Sequence, residues 1–253
     1  MSASSTTGSQ SALGHFHPTL QRWFREAFPA PTPAQELAWP VIASGVSTLL
    51  LAPTGSGKTL AAFLVAIDQI MFAPPGGTKD KGVRVLYVSP LKALGVDVER
   101  NLRSPVAGVR AAAERDGIVY HLPTVGVRSG DTPSSERHRL NREPPEILIT
   151  TPESLYLILT SRARDTLQTV QTVIVDEIHS LVGTKRGSHL FLSLERLEAL
   201  RRAAGENHKP FKPLQRIGLS ATQRPLQEVA RLLGGAEATA DPNQPPQPRA
   251  VQI

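Results

Sequence analysis

An α/β fold, with a mostly parallel sheet covered by helices on both faces, is predicted by three observations. Short aliphatic and β-branched runs alternate along the chain with stretches of helical spacing. Those runs are apolar at nearly every position, as strands buried on both faces must be. No repeat of solenoid length is visible, and 253 residues suit one large domain. Folds of this class take their ligands at the carboxyl ends of the strands, so the residues that follow each run are the candidates for chemistry.

The elements follow in chain order. Residues 1–16 open on a Ser-, Thr- and Gly-rich stretch and are expected to be a disordered tail ahead of a domain spanning 17–240. Leu20, Trp23, Phe24, Ala27 and Phe28 recur at helical spacing, which predicts a helix with a core face. Thr32 as N-cap, Pro33 at the first helical position and Gln35 at the third form a capping box for the next helix. Strands are predicted at 48–51, 83–88, 124–127, 147–150, 173–175 and 217–219. Helices are predicted at 60–71 and at 190–202; the latter has Leu190, Leu194, Leu197 and Leu200 on one face and Gly205 as a stop. The segment 241–248 (DPNQPPQP) is too rich in proline for a helix or a central strand, so 241–253 is expected to be a linker toward a second domain.

Composition narrows the function classes. The chain has no cysteine, which excludes disulfide frameworks, zinc ribbons and thiolate clusters. It has no apolar run near the ~20 residues needed to span a bilayer. The seven histidines include no His-Glu-x-x-His pair that would mark a protein metal site. No export signal is visible, so a cytoplasmic protein is expected. A net charge of +6 favours a polyanionic partner, and nucleic acid heads that class.

The predicted strand 48–51 runs into Ala52-Pro53-Thr54-Gly55-Ser56-Gly57-Lys58-Thr59 and then into an apolar helix, the context a phosphate-binding loop requires. Its glycines let backbone N–H groups turn inward, the helix start adds positive potential, Lys58 reaches the outer phosphates, and the Thr59 hydroxyl is placed for Mg²⁺. Far downstream, the strand 173–175 opens into Asp176-Glu177-Ile178-His179. Asp176 suits Mg²⁺ and Glu177 suits the orientation and deprotonation of an attacking water, because in-line phosphoryl transfer needs positioning more than covalent chemistry.

These segments, followed by Ser220-Ala221-Thr222, resemble superfamily 2 helicases of the DExH type. The Asp-Glu-Ile-His box followed by Gly183-Thr184-Lys185-Arg186-Gly187 is most similar to the large helicase-related (Lhr) family. Ser89-Pro90-Leu91-Lys92-Ala93-Leu94 resembles motif Ia, Thr151-Pro152-Glu153-Ser154-Leu155 resembles motif Ib, and Pro31 to Gln35 resembles the Q motif. The resemblance implies a RecA-like P-loop NTPase domain with ATP and Mg²⁺ as cofactors, Lys58, Asp176 and Glu177 as catalytic residues, and 3′ to 5′ translocation in the intact parent. For Gln35 it implies recognition of the adenine edge, which is compatible with the capping box. For Ser220 and Thr222 it implies coupling of the nucleotide site to strand engagement through His179. The expected partners are single-stranded DNA or a DNA/RNA hybrid, and a second RecA-like domain in cis or in trans. Too few residues follow Thr222 to form that domain, so a fragment with weak turnover is expected. The alternative is a non-catalytic, ATP-responsive nucleic-acid-binding module that acts through a partner.

Aromatic residues make up only 5% of the chain and none cluster in the contact loops, so backbone contact is expected rather than base stacking. The candidates are Ser89, Lys92, Arg128, Thr151, Glu153 and Ser154, each next to the carboxyl end of a predicted strand. Lys185 and Arg186 are further candidates that also suit ordinary solvated surface. Arg137, Arg139 and Arg142, interleaved with Glu136 and Glu143, are expected to form a soluble helix face.

Overall fold

The computed structural model describes residues 12–73, 82–90, 92–205, 212–221, 225–237 and 246–253, without the side chains of 92–97. Its elements in chain order are α1 (Pro18–Ala27), α2 (Pro33–Ala43), β1 (Thr48–Leu51), α3 (Lys58–Met71), β2 (Val85–Val88), α4 (Lys92–Arg115), β3 (Val125–Arg128), α5 (Ser134–Arg142) and β4 (Ile147–Thr150). Then come α6 (Pro152–Leu159), β5 (Thr172–Val175), α7 (Lys185–Gly205), β6 (Gln215–Ser220), α8 (Leu226–Gly234), and a two-residue pair, β7 (Ala236–Glu237) and β8 (Gln247–Pro248). All six predicted strands form, with ends shifted by no more than two residues; 83–88 narrows and 217–219 widens.

The main sheet runs in the order β1-β6-β5-β2-β4-β3, and every pairing in it is parallel. Successive side chains alternate between two cores. Leu50, Tyr87, Ile149, Ile174 and Leu219 face α1 to α4, whereas Leu49, Leu86, Leu148, Val173 and Val175 face α6, α7 and α8. The strands are apolar throughout because both faces are covered. Trp39 of α2 anchors the first core, with Phe16 edge-on at 5.1 Å and Phe24 edge-on at 5.3 Å. Of the residues expected on the core face of α1, Leu20, Trp23 and Phe24 are buried, whereas Ala27 is exposed. Among the described residues, no helix is long and apolar enough to cross a membrane.

Both expected boundaries need correction. The tail does not extend to residue 16: Ala12, Leu13 and Phe16 are buried in the first core. His17 stacks on Phe72 at 4.0 Å, and its backbone N–H donates to Asp68 Oδ1 at 2.9 Å. Burial raises the Asp68 carboxyl to about 6. The polar composition of the first eleven residues hid a short apolar anchor immediately after them. Phe16→Ala is expected to cost about 3–5 kcal/mol in denaturant unfolding; a loss below about 1 kcal/mol would place this ring outside the core.

The C-terminal residues are not a free linker either. Leu49 N–H donates to Gln252 O at 2.7 Å and Gln252 N–H to Ser47 O at 2.9 Å, so this segment covers the outer edge of β1. Arg249 Nη1 reaches both oxygens of Glu195 at 3.0 Å and Gly234 O at 3.1 Å. Proline cannot donate to a ladder, but the backbone groups that pair with β1 belong to Gln252, beyond the proline run.

Candidate nucleotide and nucleic-acid site

Six parallel strands end on one edge, so the residues that follow them form one line. Along it lie the phosphate loop after β1, Ser220 at the end of β6, Asp176 to His179 after β5, Ser89 after β2, Thr151 to Ser154 after β4, and Arg128 at the end of β3. With neighbouring strands roughly 4.8 Å apart, the first three ends make one half of this line and the last three an adjoining half.

The phosphate loop is shaped by two left-handed glycines, Gly55 at φ 82° and Gly57 at φ 80°. At Gly57 a Cβ would also lie 2.6 Å from Gln35 Nε2. Gly57 is the N-cap of α3; no side chain caps that end and no acidic residue sits in its first turn, so its positive end faces the loop. Lys58 Nζ donates to Ala52 O and to Pro53 O, the latter at 2.8 Å, which holds the ammonium over the loop. The expected capping box is present: Gln35 N–H donates to Thr32 Oγ1 at 3.3 Å, and Thr32 N–H to Gln35 Oε1 at 2.9 Å. It also braces the loop, since Thr32 Oγ1 donates to Ser56 O at 2.8 Å and Gln35 Nε2 to Gly57 O at 3.4 Å.

Asp176 is buried where β5 ends; its Oδ1 accepts from Glu177 N–H at 2.9 Å and its Oδ2 from the Tyr87 hydroxyl. Glu177 adopts φ 45°, the one positive φ outside glycine among the described residues. Such a conformation costs about 1–3 kcal/mol and turns the carboxylate out of the strand line. Glu177 Oε2 lies 3.2 Å from His179 Nε2, and His179 Nδ1 lies 3.2 Å from Ser220 Oγ. These contacts join the ends of β5 and β6; Thr222, expected beside them, lies outside the described residues.

Thr54, Gly55, Gly57, Lys58, Thr59, Asp176 and Glu177 line one cleft of about 430 Å³, closed on its apolar side by Leu60, Phe63, Val98 and Leu102. Among the described residues, no cluster of three or more His, Asp or Glu could hold a metal alone. The Thr59 hydroxyl and the Asp176 carboxylate in one cleft suit Mg²⁺, which takes few protein oxygens and completes its shell from phosphate and water.

The adjoining half differs in detail from the expectation. Ser89, Thr151 and Ser154 are buried, and Thr151 Oγ1 caps α6 by accepting from Ser154 N–H at 3.3 Å. Glu153, expected among the contacts, is held by Arg186, whose Nη2 donates to Glu153 Oε2 at 3.0 Å. That bond pulls the Glu153 carboxyl below its ordinary range and raises the Arg186 guanidinium. A carboxylate repels phosphate, and here it tethers α6 to the first turn of α7. The side chain of Lys92 falls outside the described residues. Arg128 is half-buried with Nη1 donating to Asn141 Oδ1 at 2.8 Å, and its guanidinium is lowered by burial and then by the nearby charge of Arg137. Arg137 was expected only as part of a solvated helix face. Arg139 pairs with Glu136 and Arg142 with Glu143 as expected, but Arg137 turns back to brace the loop after β3, donating to Thr132 O at 2.7 Å and Gly130 O at 2.8 Å.

A profile of the family described as DEAD/DEAH box helicase matches residues 32–230. The Lhr helicase/probable uracil glycosylase of Mycolicibacterium smegmatis is 56% identical over 234 residues, covering 92% of this chain and 15% of that protein. The ATP-dependent helicase Lhr-Core of Methanothermobacter thermautotrophicus is 47% identical over 220 residues, covering 87% of this chain and 24% of that protein. This chain thus spans a quarter or less of the length of these relatives. The structure of Mycobacterium smegmatis helicase Lhr bound to ssDNA and AMP-PNP superposes with a TM-score of 0.81 at 53% identity, over 95% of this chain and 28% of that one. The fold is RecA-like, and the chain belongs to the DEAD/DEAH box helicase family of superfamily 2, with Lhr helicases among its close relatives.

Proposed function

We propose that this chain is the ATP-binding motor domain of an ATP-dependent nucleic-acid helicase, whose intact parent couples hydrolysis to 3′ to 5′ translocation and unwinding in the cytoplasm. The observation that carries this reading is the single line of strand ends, in which a phosphate loop and an acidic pair adjoin a half that holds Arg128 and the capped start of α6. In this reading the open amides of α3, with Thr54, Gly55, Ser56 and Gly57, cradle the phosphates, and Lys58 moves its ammonium from the loop carbonyls to the outer ones. Gln35 braces the loop and has one amide N–H left for a base edge. Thr59 and Asp176 would hold Mg²⁺, which would neutralise charge on the phosphates. Glu177 orients the attacking water and takes its proton. His179 and Ser220 link that carboxylate to β6, where hydrolysis is communicated onward, and Thr222 is assigned the same coupling role.

Single-stranded DNA or a DNA/RNA hybrid lies along the other half, held by Arg128, Lys92 and the backbone around Ser89 and Thr151 to Ser154. Such contacts read phosphates rather than bases, so affinity falls steeply with salt. A second RecA-like domain in cis or in trans supplies the charge that accelerates turnover. The test is ATP hydrolysis with and without single-stranded DNA, and with and without an added second RecA-like domain. The chain alone is expected to bind both ligands and turn over slowly, with stimulation by DNA once the second domain is supplied. Turnover absent from every arm, with ATP-dependent DNA affinity intact, would instead identify a non-catalytic module.

A further inference from the structure

A tyrosine that the phosphate-site chemistry does not use joins the two supports of the proposed Mg²⁺ site. Tyr87 lies on β2, pairs in register with Ile174 of β5, and has no solvent exposure. Its ring stacks on Phe63 of α3, with centroids 5.0 Å apart and planes at 26°. Phe63 lies four residues after Thr59, so the two share one face of α3 and both line the cleft. The Tyr87 hydroxyl donates to Asp176 Oδ2, while Asp176 Oδ1 is held by Glu177 N–H. One side chain therefore touches the helix that carries Thr59 and the carboxylate that faces it.

Phenylalanine would fill the same apolar slot, so the hydroxyl has a purpose beyond packing. A buried carboxylate oxygen without a donor is costly, and a carboxylate fixed at one oxygen only can rotate about its terminal bond.

We propose that Tyr87 is a positioning residue for the Mg²⁺–nucleotide complex: by stacking on Phe63 and donating to Asp176, it sets the carboxylate plane and its spacing from Thr59. This rests on the reading of the cleft given under Proposed function.

The experiment compares wild type with Tyr87→Phe by calorimetric titration of ATP, once with Mg²⁺ and once with EDTA. The variant is expected to keep its EDTA affinity within about twofold and to lose about tenfold in the Mg²⁺ arm, the scale of one hydrogen bond to a charged group. Asp176→Asn should abolish the difference, so that Tyr87→Phe changes nothing further in that background. A Mg²⁺-to-EDTA ratio equal to that of wild type would overturn the proposal, as would an equal loss in both arms, which marks a packing role only. Failure of wild type itself to gain affinity from Mg²⁺ would sink the cleft assignment and this inference together. That result is distinct from an unchanged variant beside a responsive wild type.

Discussion

Lys58→Ala is expected to lower ATP affinity by roughly 2–5 kcal/mol, which is ~30-fold or more, because it removes the ammonium held over the phosphate loop. The folded state should tolerate it. Lys58 occupies the first turn of α3, where alanine is a better helix former, and its ammonium is engaged with the carbonyls of Ala52 and Pro53. Those two oxygens can turn to water in the variant, so the melting temperature should stay within a few degrees of wild type while calorimetric titration of ATP loses its signal. The glycine backbone and the open end of α3 remain, so weak residual binding of triphosphate is expected. Equal affinity in the two proteins would refute the phosphate assignment.

Glu177→Gln should separate binding from chemistry. The amide has the shape of the carboxylate and can still accept from His179, but it cannot take a proton from water. Single-turnover hydrolysis is therefore expected to fall by roughly 10²–10⁴, the usual scale for a lost general base, with ATP affinity within about threefold of wild type. The left-handed backbone at Glu177 strengthens the expectation. A strained residue at the mouth of a buried strand persists only where surrounding structure holds it, and here that structure is Asp176 beneath it and the His179–Ser220 pair beside it. Hydrolysis by the variant at the wild-type rate would show that Glu177 has no part in the chemical step.

The two halves of the site were unequally legible. The phosphate loop and the Asp-Glu-Ile-His box are contiguous segments whose chemistry is local, and residues of the loop line one cleft with Asp176 and Glu177. The adjoining half was harder. Glu153 looked like a contact until Arg186 reached it from 33 residues away, and Arg137 looked like one member of a solvated run until its side chain turned back to the loop at Gly130 and Thr132. Tyr87 reads as one more apolar residue in a buried strand, because its partner Asp176 lies 89 positions away. The boundaries slipped for a related reason. Composition marks where polar or proline-rich sequence is concentrated, whereas Phe16 and Gln252 are held by contacts distant in sequence, to Trp39 and to the edge of β1.

By itself the amino-acid order determined six buried strands, the helices between them, and the identity of the groups at each strand's carboxyl end. Only the tertiary structure decided which ends are neighbours: β6 inserts between β1 and β5, bringing Ser220 beside His179, and β2 pairs with β5, bringing Tyr87 under Asp176. The physical reason is that a strand buried on both faces presents the same apolar pattern and the same parallel ladder to any neighbour. The order of strands is therefore set by helix packing on the two faces and by side chains that meet across long separations, which no local window contains.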